Sequence, residues 1–115
     1  MMTKKTLLAL ALLGLTGAAF AECKSNVIGV TVPGHYAAID QKSYDHLKFE
    51  LQHTGKNSSD LKAMIQSNKV IVLPSGIEVC VEKKDFTFYR LLIEIPGRTI
   101  KYWVPDEAVT IPNKL

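Results

Sequence analysis

Between Val70 and Ile111 the chain reverses direction so often that only short strands fit. Five runs have strand character: Val70–Leu73, Ile77–Glu82, Phe86–Ile95, Thr99–Val104 and Val109–Ile111. Turn formers separate them: Pro74-Ser75-Gly76, the charged Lys83-Lys84-Asp85, Pro96-Gly97-Arg98 and Pro105-Asp106-Glu107. Such close spacing favours antiparallel neighbours in a small barrel over a sandwich with long crossovers. In Ile77–Glu82 the alternation puts Ile77, Val79 and Val81 on one face and Glu78, Cys80 and Glu82 on the other.

Upstream, Val27–Val32 is β-branched and stops at Pro33-Gly34, a strand and a turn. From Ser43 the period becomes helical. Tyr44, Leu47 and Leu51 share a face, Asp40 or Ser43 supplies the cap, and Thr54-Gly55 ends the helix. Ser58 or Ser59 caps a second short helix with Leu61, Met64 and Ile65 on one face, stopping near Asn68. The expected fold class is α+β, mostly β: a small antiparallel barrel preceded by an N-terminal strand and two short helices.

Lys4-Lys5, the apolar run Leu7–Leu15 and Ala19-Phe20-Ala21 have the layout of a secretory signal peptide cleaved after Ala21. The run is too short for a membrane span, which needs about 20 residues. Residues 1–21 are thus expected to be the signal and 22–115 a single exported domain, periplasmic or secreted, with no membrane partner after cleavage. Within it, 22–69 is the strand and helical lead-in and 70–111 the barrel. The formal charge of +3 includes Lys4 and Lys5, so the remainder is near neutral and no nucleic-acid partner is expected.

Both cysteines, Cys23 and Cys80, fall in that domain. An oxidising compartment and an even count predict one disulfide, with free thiols or a redox pair as the alternative. Glu22 stands where a lipoprotein signal needs a small residue, so Cys23 is not expected to carry lipid. A bridge would contribute about 4 kcal/mol on the chain-entropy model. It should lie on the strand face opposite Val79 and Val81, with the N-terminal segment crossing it.

Gly76 followed by Val79 and Val81, then Phe88-Tyr89-Arg90, Pro96-Gly97-Arg98, Tyr102-Trp103-Val104-Pro105 and Ala108-Val109 resemble a bacterial SH3-like barrel over residues 70–111. Tyr102 stands where that family often has glycine. The resemblance implies a binding module with cell-wall or envelope partners, and it carries over no catalytic residue.

Rings and donors concentrate late in the chain, and peptide and glycan sites combine the two. The candidate ligand-binding residues are Tyr89, Arg98, Lys101, Tyr102 and Trp103, with Trp103 a core or groove-floor residue. His46, Glu50 and His53 recur at helical spacing with donors that zinc accepts, but the set is incomplete and no metal or cofactor is expected. Ser75, Ser58 and Ser59 sit outside any nucleophile motif, and no Gly-rich phosphate loop is present. The expectation is a non-enzymatic exported module that recognises an envelope protein or peptidoglycan component. The alternative is a small periplasmic inhibitor or immunity protein against a toxin or hydrolase.

Overall fold

A computed structural model describes residues 23–112. Residues 1–21, expected to be a signal peptide, lie outside the described residues. The fold is α+β and mostly strands: β1 (Ile28–Thr31), β2 (Tyr36–Ala38), α1 (Gln41–His53), α2 (Ser59–Gln66), β3 (Val70–Val72), β4 (Glu78–Asp85), β5 (Arg90–Glu94), β6 (Lys101–Pro105), a 3-10 turn (Asp106–Ala108) and β7 (Val109–Thr110). One antiparallel sheet has the order β3-β2-β6-β5-β4-β1-β7. The N-terminal strand thus lies inside the sheet, between β4 and β7.

Each face of the sheet buries a different cluster, as the period of two requires. Val79, Val81, Leu91, Ile93, Tyr102 and Val104 point to one side and pack with Ala37, Leu73 and Val109. No residue of α1 or α2 belongs to this cluster, and the sheet itself with Ala108 of the 3-10 turn encloses it. Ala38, Val70 and Trp103 point to the other side, where Tyr44, Leu47, Leu61 and Met64 of the helices cover them. Among the described residues no ladder joins β3 to β7, so the barrel is open. The connection after β3 narrows the gap: the buried Thr31 Oγ1 donates to the Pro74 carbonyl (2.7 Å) and accepts from the Ile77 amide (3.1 Å).

The helices start and stop where their caps dictate. Asp40 accepts the Ser43 amide at 2.7 Å, and the chain leaves α1 through Gly55 at φ +85°. Ser58 caps α2 by accepting the Leu61 amide, and its hydroxyl donates to Glu50 of α1 at 2.5 Å. One buried serine therefore both starts α2 and ties it to α1.

Cys23 and Cys80 form the disulfide, with Cα atoms 5.5 Å apart. Cys80 faces away from Val79 and Val81, yet it is fully buried, because the N-terminal segment crosses over it. That segment is fixed by Val81 N–H donating to the Val27 carbonyl (2.8 Å) and Ser25 Oγ donating to the Val81 carbonyl (2.6 Å).

One hairpin differs from the sequence expectation. Lys83-Lys84-Asp85 is not a turn, and Phe86–Tyr89 is not strand. β4 continues to Asp85 because its register shifts between Val81 and Lys83, leaving Glu82 as an extra residue opposite β5. The reversal occurs at Phe86–Tyr89, where Asp85 Oδ1 accepts the amides of Thr87 (3.1 Å) and Phe88 (3.3 Å). An Asp side chain that closes a turn on its own backbone overrides the strand preference of the aromatics.

Candidate functional site: an aromatic turn beside a groove

The site is built on Arg90, the first residue of β5. Only 5% of it is exposed. Its Nε donates to Asp85 Oδ2 at 3.0 Å and its Nη1 to Asp45 of α1 at 3.3 Å. The guanidinium lies over three rings, 4.8 Å from the centroid of Phe88, 5.0 Å from Trp103 and 5.5 Å from Tyr44. A buried cation needs partners, and here two carboxylates and three π-faces supply them. Arg90 thereby joins α1, β6 and the β4–β5 turn at one point.

The electrostatics follow from this packing. Desolvation acts to raise the Asp85 carboxyl, but the hydrogen bond from Arg90 and the amides of Phe88 and Thr87 outweigh it and hold the group below its usual value. Burial pushes the Tyr44 hydroxyl up to about 12, against the opposing pull of Arg90. Asp85 therefore stays ionised and Tyr44 neutral at physiological pH.

Above this anchor the turn presents its rings to solvent. Phe86 is 75% exposed, Phe88 52% and Tyr89 69%. Tyr89 adopts φ +53°, a conformation that costs a bulky residue energy, and its carbonyl accepts the Asp106 amide at 2.9 Å. Asp85, Arg90 and this last bond fix the turn on three sides. Beside it runs a groove of about 490 Å³. It is lined by Tyr44, Leu47, Lys48 and Leu51 of α1, by Phe88 and Tyr89 of the turn, by Pro105-Asp106-Glu107, and by His35 and Tyr36.

The structure separates the five residues expected to form one patch. Tyr89 sits at the Arg90 end of β5, whereas Lys101 pairs with Glu94 at the opposite end. Five residues of β5 place these ends about 15 Å apart. At the far end Arg98 Nη1 donates to the Tyr102 hydroxyl at 3.2 Å, and Lys101 Nζ donates to Glu82 at 2.9 Å. Tyr102 is buried in the sheet's own cluster, so its ring offers no surface. Trp103 is 7% exposed and packs among the helices, with Arg90 against its ring. Of the five, Tyr89 alone lines the groove. Sequence reasoning did not single out Tyr44, Asp45 or Asp106 as site residues and gave Arg90 a place only in the Phe88-Tyr89-Arg90 motif. A signal existed in the Asp85 and Arg90 that bracket the aromatic run, an acid and a base placed to meet across a turn.

The helical His-Glu-His set is also rearranged. His46 Nε2 lies 3.8 Å from Glu50 and 3.6 Å from Asp60, so the third member is Asp60 of α2. His53 instead stacks on Phe49 at 4.0 Å, its Nδ1 2.8 Å from the Phe49 carbonyl.

No family model matches this sequence, and no curated protein or solved structure matches it. No helix among the described residues is long and apolar enough to cross a membrane.

Proposed function

We propose that this chain is an exported, non-enzymatic binding module that engages an envelope protein or a peptidoglycan component through its aromatic turn and the adjoining groove. One observation carries the reading: three large rings are held out in solvent by a turn that Asp85 and Arg90 fix from beneath. Exposing rings costs free energy, and recognition by rigid aromatics returns it because little entropy is lost on contact. The charged groups behind the turn are committed to structure, Arg90 to Asp45 and Asp85. The likeness to SH3-like barrels belongs to this reading. It is supported by the curled strand meander and by the single 3-10 turn before the closing strand β7.

The test is capture. Immobilised protein is exposed to envelope extract and, separately, to purified sacculi, alongside Phe88→Ala. The reading expects retention by the unmodified protein and weaker retention by the variant. A second reading, an inhibitor or immunity protein, draws on the same pre-set protruding turn, and a hydrolase or toxin as the dominant captured species would favour it.

A further inference from the structure

Three metal-ligating side chains converge where α2 meets α1. Glu50 follows His46 by one helical turn of α1, and Asp60 lies in the first turn of α2. Each offers a ligand atom within 4.8 Å of the other two. We infer that His46 Nε2, Glu50 Oε2 and Asp60 Oδ2 bind one zinc ion, which clamps α2 onto α1. None of the three lines the groove beside the aromatic turn, so this site is separate from the proposed binding surface.

Spacing, positioning and charge all support an ion here. His46 Nε2 is 3.8 Å from Glu50 and 3.6 Å from Asp60, too long for hydrogen bonds. Ligand atoms around a tetrahedral zinc are themselves about 3.3 Å apart, so small rotations of the exposed His46 and Asp60 would close the set about Glu50. Glu50 is the fixed member. It is buried, and its Oε1 accepts the Ser58 hydroxyl at 2.5 Å, which leaves Oε2 for the cluster. Outer-shell partners orient metal ligands in this way. Among the described residues neither Glu50 nor Asp60 pairs with Lys or Arg. Lys42 and Lys69, which line the adjoining hollow, act on Asp40 instead. A dication would balance both carboxylates. The donor set also chooses the ion: calcium and magnesium take oxygen ligands, whereas zinc accepts one imidazole, two carboxylates and a water.

Calorimetric titration of tag-free, chelator-treated protein with zinc chloride tests the site and should find one zinc per chain. His46→Ala and Asp60→Asn should each weaken binding by at least about tenfold, since losing even an outer-shell partner typically costs about 10–100-fold in metal affinity. Both side chains are exposed, so both variants should keep the fold. His53→Ala should leave the affinity unchanged, because that ring stacks on Phe49 instead. Zinc should raise the melting temperature of the unmodified protein and not that of His46→Ala, as binding to the folded state requires. Calcium at the same concentration should do neither. No zinc binding, equal loss of affinity in His53→Ala, calcium binding of the same strength, or zinc binding with no gain in melting temperature would each overturn the inference.

Discussion

The guanidinium of Arg90 meets the carboxylate of Asp85 at 3.0 Å across the base of the aromatic turn, five residues apart in sequence. Asp85 uses one oxygen for this bond and the other to close the turn on Thr87 and Phe88. One acid thus shapes the loop, and one base holds it against α1 through Asp45.

Arg90→Ala should lower stability by about 2–4 kcal/mol, since it removes two charge-assisted bonds and contacts to three rings. Arg90→Lys should recover less than half of the loss, because an ammonium cannot reach both carboxylates with a planar fork. Urea denaturation measures both. A change below about 0.5 kcal/mol for Arg90→Ala, the range of ordinary surface substitutions, would remove Arg90 from the centre of the site.

Acid should destabilise the fold. Asp40 is held low by the Ser43 amide, Glu82 by the hydrogen bond from Lys101, and Asp85 by Arg90 in spite of desolvation. A carboxyl with a lower pKa in the folded state contributes stability that is complete above its unfolded value. That contribution is lost as pH falls through the folded value. Stability should therefore hold down to about pH 5 and decline below about pH 4. Asp85→Asn should show a shallower decline. Stability that rises on acidification below pH 4 would contradict the assignment.

Ser58→Ala should cost about 2 kcal/mol, one part for the lost helix cap and one for leaving Glu50 without its donor. Ser59→Ala, one position on and exposed, should cost little. Equal effects at the two serines would contradict the cap assignment. Thermal melts of the two variants decide it.

Gly29 lies in β1 directly beneath Val109 of β7, and an added Cβ would run into Val109 Cγ1 and approach the Thr110 carbonyl at 3.0 Å. Gly29→Ala should destabilise by about 1–3 kcal/mol through overpacking. Val109→Ala in the same chain should cost less than it does alone, because the cavity accepts the new methyl. Additive losses in the double variant would show that the two residues do not meet.

What was legible in the sequence had local causes. The Tyr44-Leu47 face, the Asp40 and Ser58 caps and the side of β4 on which the disulfide lies all follow from spacing and side-chain chemistry within a few residues. The β4–β5 hairpin was misread because Lys83-Lys84 have turn character and Phe86–Tyr89 strand character. A bulge at Glu82 and the side chain of Asp85 reverse both preferences. The five candidate residues lie apart for a related reason: the pairing of β5 with β6 puts Tyr89 at one end of the hairpin and Lys101 at the other, and alternation along one strand does not show that pairing. Burial of Arg90 depends on Tyr44 and Asp45, more than forty positions earlier, and no window of sequence contains that meeting.

Tyr89→Gly removes one ring from the turn proposed as the binding surface and leaves the backbone of that turn unstrained. Glycine accepts φ +53° without strain, so the variant should melt no lower than the unmodified protein while losing a ring that is 69% exposed. Retention of both proteins on purified sacculi and on envelope extract is measured at matched concentration. An intact fold and retention reduced by about tenfold or more are expected, in keeping with the loss of an aromatic contact. Unchanged retention by a stably folded Tyr89→Gly would contradict it.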